Sequence, residues 1–541
     1  MGGVIESRFE FEGQPVSIQT CCHADLDLIA VRIESLLLNT GKLRVLLTFP
    51  YASPEMSMAD WNKPALHSTT FLPIGKYRAG FARKLDDTEY HADFQWSDGA
   101  EFSRRAEHEF GLGGRSGSMW EFACLFSAKA FSKNLPSFAQ VKSSSRRRWE
   151  KFWSEGGAVD FSDSTDPRAV ELERRVVLSQ YNTAIHCAGS LPSAETGLLF
   201  NSWYGKFHLE MHWWHSVHFA AWNRFPSFKK SLAIYERILP LARETARRQG
   251  HRGARWPKMI GPDGHDSPST IGPLLIWQQP HPIYYAELCY GNAPAKKTLE
   301  RWQDIVFETA DFMASFAVLD KNRNQFVLDP PLKTVSENTE ATTAINPTFE
   351  LAYWRFGLRV AQTWRERLGL KRNPDWDRVL NQLAPLPEAD GLYLLQEGMA
   401  DTYTKWNWEH PALVGAFGML PGDGVNPATM RHSLARMMET WQWDRAWGWD
   451  FGNAAMCAAR TGQPELTVNA LLTDSVKNRY LLNGHNYQRE DLPAYLPGNG
   501  ALLCAVAMMC AGWMDGPKNS EPGFPSNGKW SVRHEGLKRW L

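Results

Sequence analysis

Apolar and polar positions alternate with period two at the start of the chain. Val31 and Ile33 interleave with Arg32 and Glu34, and Leu43, Val45, Leu47 and Phe49 with Arg44 and Thr48. Such alternation predicts antiparallel strands with one face on a core, joined here by a turn at Asn39-Thr40-Gly41. The expected first domain is an antiparallel β-sandwich over residues 1–135. Residues 136–175 are charged and serine-bearing (SSSRRRWEKFW) and read as a helical linker. The period then becomes helical: Leu299, Trp302, Val306, Ala310 and Met313 form one stripe, and Phe349, Tyr353, Phe356 and Val360 another. Helix pairs recur through 176–515, as helical hairpins closed into a toroid would require, and 516–541 is a Pro/Gly-rich tail with a short strand expected at Trp530–His534. The expected fold is mainly α, an (α/α)6 toroid preceded by the sandwich.

The segments between the helical stripes (251–285, 321–348, 386–412, 439–453 and 481–500) are rich in Gly, Pro, Trp and charge, and such loops carry chemistry on a helical scaffold. Composition narrows what that chemistry acts on. Lysine plus arginine and aspartate plus glutamate number 59 each, so nothing favours nucleic acid or an anionic membrane as partner, and a neutral small molecule is expected. The eight cysteines lack paired metal spacing and read as buried free thiols. The N-terminus has no basic start followed by an apolar stretch, and no uncharged run is long enough to span a bilayer; as written, the chain reads as cytoplasmic without an export signal. The sequence leaves the oligomeric state open.

One segment departs from ordinary helical text. Asn201–Arg224, NSWYGKFHLEMHWWHSVHFAAWNR, holds four histidines, four tryptophans and Glu210. A sugar presents an apolar C–H face that stacks on indole and a rim of hydroxyls that need partners once dry. Trp203, His208, Glu210 and Trp214 are candidate sugar contacts, with His208, Glu210, His212, Trp213, Trp214 and His215 expected on adjacent turns of one helix. His208 and His212 are four apart, but the order His-Leu-Glu-Met-His lacks the zinc-protease arrangement, so neither metal nor cofactor is expected. A satisfied aromatic core is the competing reading.

Cleavage of a glycosidic bond needs two flanking carboxyl groups, one protonated and one ionised. LKTVSENTEATTAIN (332–346) offers Glu337 and Glu340 among asparagine and threonine, without a cationic neighbour in sequence, and a partly buried glutamate there would keep its proton. METWQWDRAWGWDFGN (438–453) offers Glu439, Asp444 and Asp450 among Trp441, Trp443, Trp447 and Trp449. Trp277, Gln278, Gln279 and His281 lie in a third loop, where glutamine amides could serve paired hydroxyls, and Asn499 lies in a fourth beside Gly498 and Gly500.

In their order these motifs resemble the six-hairpin (α/α)6-barrel glycosidases, nearest to glycoside hydrolase families 65 and 95, over about residues 176–513. Phe207-His208-Leu209-Glu210 is similar to the Trp-Asp-Thr-Glu run that lines the donor subsite in family 65, with histidine in place of aspartate. Trp277-Gln278-Gln279 resembles the Trp-Gln loop of that family, and Pro497-Gly498-Asn499-Gly500 the Gly-Asn-Phe-Gly segment of family 95. Ser336-Glu337-Asn338 resembles the Ser-Pro-Glu-Asn of family 95, which implies Glu337 as general acid with Asn338 beside it. Ser433–Glu439 ahead of Ala446-Trp447-Gly448-Trp449 resembles the segment of family 95 that holds its basic aspartate, which implies Glu439 as base, with Glu340, Asp444 and Asp450 as fallback carboxyls. The resemblance implies an inverting glycoside hydrolase. Two alternatives stand beside it: a phosphorylase or transglycosidase on the same fold, and a non-catalytic carbohydrate-binding protein. The Lys-Gln-Ala-Asp type of segment found in family 65 phosphorylases is missing, and ADTYTKWNWEH offers only Lys405 as a cation.

Overall fold

A computed structural model describes residues 1–53, 59–114, 116–200, 202–519 and 521–541; Asn201, at the head of the His/Trp segment, lies outside them. The chain divides into two compact units. The first comprises Met1–Glu155 with Trp203–Gly205, and the second Gly156–Ser202 with Lys206–Leu541.

The first unit is built on two antiparallel sheets. Seven strands run in the spatial order Val4–Phe11, Gln14–Cys22, Leu28–Glu34, Met119–Ser127, Thr88–Trp96, Arg78–Leu85, His67–Gly75, and three in the order Glu101–Arg104, Glu109–Gly113, Val45–Thr48. Inward-facing Val31, Ile33, Phe81, Phe94, Phe110, Leu112 and Trp120 fill the space between them, as the alternation predicts. The strands flanking Asn39–Gly41 are not a hairpin: Leu28–Glu34 belongs to one sheet and Val45–Thr48 to the other. The connection is a 3-10 turn, Leu36–Thr40, capped by the Ser35 hydroxyl and ended by Gly41 in the left-handed region. Helix α1, Phe138–Ser154, starts with a Ser137/Gln140 capping box and belongs to this unit.

The second unit is helical. Five helices and one short turn follow each other in a closed inner ring: α3 (His212–Ala221), α5 (His281–Asn292), α7 (Thr348–Arg367), the 3-10 turn Ala412–Phe417, α10 (Gly448–Arg460) and α12 (Leu496–Ala511), which returns to α3. Outside them lie α2 (Ala169–His186), α4 (Phe225–Arg248), α6 (Lys296–Phe316), α8 (Pro374–Gln382), α9 (Pro427–Thr440) and α11 (Pro464–Leu471). Every residue of α3 and every residue of Leu496–Cys510 is buried, whereas α4 and α6 bury one stripe each, so the inner helices form the core and the outer ones shield it. Gly500 is required at one crossing, where a Cβ would collide with the Trp214 carbonyl. The C-terminal segment belongs to this unit: Arg533–Glu535 pairs with Ala158–Asp160, and Trp540 packs on Trp213. Seven cysteines are buried free thiols as expected, but Cys22 is exposed at the end of its strand.

Among the described residues no helix is long and apolar enough to cross a membrane.

Candidate functional site

Loops at the ends of the inner ring converge on one cluster of charged side chains. The first part is set by a two-residue strand pair, Phe207–His208 against Met259–Ile260, which is closed by Leu209 N donating to the Lys258 carbonyl at 2.8 Å. It fixes His208, Glu210 and Lys258 side by side. His208 Nδ1 lies 3.1 Å from Glu195 Oε1 and 3.2 Å from Glu210 Oε1, and Lys258 Nζ lies 3.6 Å from Glu210 Oε1. Burial disfavours the charged imidazole, but Glu210 and Glu195 outweigh it and raise the His208 pKa to about 9. Burial likewise opposes the Glu210 carboxylate, and His208 and Lys258 outweigh it, leaving its pKa below the ordinary value. Glu195, His208 and Glu210 have ligand atoms within 4.8 Å of one another, a spacing that could hold a cation. The protonated imidazole and the Lys258 ammonium already supply positive charge there. His208 and Glu210 precede α3 instead of riding on it, because His212 is its first residue, and the expected His208/His212 face does not form. His212 instead bonds Ser231 Oγ at 2.8 Å and Tyr235 OH at 3.2 Å.

Lys258 also reaches Glu337, with Nζ 2.5 Å from Oε1. The cationic neighbour that the local sequence lacks is thus supplied from 79 positions away. An ammonium at that distance is a partner for a carboxylate, not for a neutral acid. Glu337 has a left-handed φ of 61°, an uncommon state for a side chain with a Cβ and one that recurs at functional sites. Its loop is tied from below: Val335 N donates to Glu350 Oε1 at 2.8 Å, and burial raises the Glu350 carboxyl to about 7.

The second carboxyl of the cluster is Glu409. Asn338 Nδ2 donates to Glu409 Oε2 at 3.0 Å, so the residue after Glu337 bridges to it. Glu409 is buried, its Oε1 has no hydrogen-bond partner among the described residues, and its pKa is raised, chiefly by burial, with Asp450 adding and Asn338 opposing. Next to it, His410 Nδ1 lies 3.0 Å from Asp450 Oδ2, and its ring stacks on Trp449 at 4.5 Å. Burial opposes the His410 charge, but Asp450 outweighs it and raises the pKa. Asp450, in the first turn of α10, also accepts from Trp447 N at 2.8 Å, the reciprocal arm of a capping box at the helix start. Tyr495, at the entry to α12, stays protonated through burial and the nearby charges of Glu195, Asp450, Glu210 and Glu337.

Of the residues expected from sequence, the cluster gathers His208, Glu210, Glu337, Asn338 and Asp450, with Trp214, Trp277, Trp447 and Trp449 around it. Trp214 stacks on Trp449 at 5.4 Å and Trp277 on Trp449 at 6.3 Å. Others brace the walls. Gln279 takes both Trp256 N and Trp256 O at 2.8 Å; Gln278 Nε2 donates to Trp256 O and Leu275 O at 3.2 Å. His281 joins Tyr353 OH at 2.9 Å and the Glu210 carbonyl at 3.0 Å, and Asn499 Nδ2 donates to Ser179 Oγ and the Gly484 carbonyl at 2.8 Å. Three carboxyls point to solvent: Glu439 on the last turn of α9, Glu340, and Asp444, which accepts from Val476 N at 3.3 Å. Trp203 falls to the first unit. Sequence reasoning missed Glu195, Lys258, Glu409 and His410. The signal for Glu409 was the pair Trp406 and Trp408 just before it, as Trp447 and Trp449 stand just before Asp450.

No family model matches the chain, and no curated protein is similar to it. Solved structures are. A putative kojibiose phosphorylase from the human microbiome superposes with a TM-score of 0.63 at 11% identity, covering 99% of this chain and 85% of that one. A glycosidase variant (TM-score 0.47, 13% identity, 62% and 97% covered) and a family GH92 α-mannosidase from Bacteroides thetaiotaomicron in complex with mannoimidazole (0.45, 12%, 94% and 69%) are more distant. The chain has the six-hairpin glycosidase fold, a β-sandwich followed by an (α/α)6 barrel, as the family 65 resemblance implied.

Proposed function

We propose that this chain is an inverting glycoside hydrolase whose two catalytic carboxyls are Glu337 and Glu409. The observation that carries the reading is the bridge between them: Asn338 follows one and donates to the other at 3.0 Å. Their surroundings differ in the way acid–base catalysis requires. Glu409 is buried, and burial raises its pKa against the pull of Asn338 and His410, whereas Glu337 forms an ion pair with Lys258. In the reaction Glu409 gives its proton to the departing glycosidic oxygen as the C1–O bond breaks. Water bonds to C1 from the opposite face and passes a proton to Glu337. Glu439, exposed on an outer helix, is replaced as the base in this proposal. The donor sugar would sit at the Lys258–Glu337 pair, with His208, Glu210 and Trp214 buried behind it. Every charge there is already paired, which suits neutral hydroxyls. The cations beside the two carboxyls, His208, Lys258 and His410, each face a carboxylate, so none of these three is free for inorganic phosphate, which supports hydrolysis over phosphorolysis.

The likeness of Ser336-Glu337-Asn338 to family 95 supports a second reading with the roles exchanged. Aryl glycosides separate the two. A general-acid variant retains most of its rate on substrates with activated leaving groups that need no protonation, whereas a base variant loses both kinds. Glu409→Gln should keep activated aryl glycosides and lose alkyl ones, and Glu337→Gln should lose both. The reverse pattern exchanges the roles, and full activity of both variants rejects the pair. Proton NMR of the first-formed anomer tests inversion, and turnover that requires phosphate would reject hydrolysis.

A further inference from the structure

Three half-buried indoles lie near Glu409 and His410, Trp406 and Trp408 just before them in the chain and Trp447 against His410, and each carries a cation against its ring. Lys405 Nζ lies 5.7 Å from the Trp406 ring, the Arg445 guanidinium 4.2 Å from Trp408, and Lys477 Nζ and the Arg489 guanidinium 5.4 and 5.9 Å from Trp447. The Trp406 and Trp408 rings are nearly parallel, 20° apart at 6.4 Å. Trp447 lies 6.3 Å from His410, and its backbone is the one that Asp450 caps. None of these groups is used by the carboxyl pair.

Lys477 is the most constrained of the cations. Its carbonyl accepts from Asn486 Nδ2 and Gln488 Nε2 at 3.1 Å each, and Gln488 Oε1 accepts from Gly448 N at 3.1 Å. One glutamine therefore fixes Lys477 and the residue after Trp447 together. Gly448 must be glycine, since a Cβ there would collide with Asn486 and Gln488. The Lys477 side chain is half-buried and lies near Arg489, and both burial and that like charge work against its proton. The acids nearby are committed elsewhere: Asp491 to Arg489 at 2.7 Å and Asp444 to Val476 N at 3.3 Å. Among the described residues Lys477 has no ion-pair partner of its own. Asp444 and Asp491 offset the repulsion between this half-buried ammonium and the guanidinium only in part, and an anion placed between the two relieves it further.

We propose that the leaving-group side of the site binds an acidic saccharide unit, its carboxylate or sulfate ester held by Lys477 and Arg489 and its ring stacked on the indoles of Trp447, Trp408 and Trp406. The inference rests on the hydrolase reading for its orientation and extends it to a substrate class. The zero net charge of the whole chain does not bear on it, because the cations that matter are local.

The test uses the full chain carrying Glu337→Gln, so that ligands bind without turnover, and reads tryptophan fluorescence. The probes are short uronate-containing oligosaccharides with their carboxyl-reduced counterparts, and sulfated oligosaccharides with their desulfated counterparts. The acidic member of one pair should bind about tenfold tighter than its neutral partner, an advantage that shrinks as salt is raised. The pair that shows it identifies the anion. Added Lys477→Ala should bring the ratio close to one and Lys477→Arg should restore most of it, with Arg489→Ala as an independent check on a surface residue. Equal affinities within both pairs, or a ratio indifferent to Lys477 and Arg489, overturn the proposal. Acidic oligosaccharides that bind but release no reducing sugar with the unmodified chain would overturn the hydrolase reading and leave the subsite standing.

Discussion

The buried imidazolium of His208 makes the stability of the helical unit fall with rising pH. His208 has an ordinary pKa of 6.5 and is raised to about 9 between Glu195 and Glu210. A group whose folded pKa is raised stabilises the fold fully below its unfolded pKa, and that contribution is lost as pH climbs through the folded value. The window therefore opens near pH 6.5 and closes above about 9. At about 1.4 kcal/mol per pH unit the loss across it is roughly 3 kcal/mol. Unfolding entropies near 2.1 cal/mol/K per residue, over roughly 380 residues of the helical unit, convert this to about 4 °C in Tm. The perturbation is His208→Gln, which fills the same space and donates one hydrogen bond but cannot titrate. Melting followed by circular dichroism from pH 6 to 10, the approximate span of the His208 window, should show the unmodified chain falling relative to the variant. The two curves should run parallel again above that span. His410, also raised, titrates in both proteins and cancels in the difference. Curves that stay parallel across the whole span would show that His208 carries no proton there and would overturn the charge assignment of the Glu195–His208–Glu210 cluster.

The other expectations follow from the same packing. Glu350→Gln keeps an acceptor for Val335 N but removes a carboxyl raised to about 7, so the variant should match the unmodified chain near pH 4.5 and exceed it by up to about 3 kcal/mol above pH 7, read by urea unfolding. Lys258→Met leaves Glu210 and Glu337 without their shared cation; breaking a buried pair of this kind costs about 3–5 kcal/mol, and a loss under about 1 kcal/mol would mean the ammonium is not bound between them. Asp450→Asn weakens the cap on α10 and frees His410, so activity should fall with a Tm drop equivalent to about 1 kcal/mol, and the His410 ring should titrate lower by NMR. Gly448→Ala should destabilise by about 1–3 kcal/mol through collision with Asn486 and Gln488.

How much of this was legible in the sequence depended on whether a residue acts through its neighbours in the chain or through distant ones. The stripes at Leu299–Met313 and Phe349–Val360 mapped directly onto α6 and α7, because a helix writes its period into consecutive residues. Glu337 and Asp450 were legible for the same reason: a carboxyl among amides and hydroxyls, or among indoles, stands out locally. The ion pair between Lys258 and Glu337 was not, since a 79-residue separation carries no local pattern. The His208–His212 spacing looked helical because a periodicity of four says nothing about where the helix begins; the pairing of Phe207–His208 with Met259–Ile260 decided that. Gln279 and Asn499 had the right chemistry for hydroxyls, and tertiary contacts claimed it for backbone and Ser179 instead.

Five members of the inner ring are α-helices of 10 to 20 residues, and the sixth is a 3-10 turn of six. At rises of about 1.5 and 2.0 Å per residue, that sector of the wall is roughly 12 Å tall where its neighbours α7 and α10 reach about 20–30 Å. The missing height is made up by irregular chain before Ala412, which carries Trp406, Trp408, Glu409 and His410. On the proposed reading, substitutions at Trp406 and Trp408 that leave Glu409 and His410 in place would change which acceptor is accommodated without disturbing a single helix–helix crossing. The short sector thus separates the choice of acceptor from the packing that holds the barrel together.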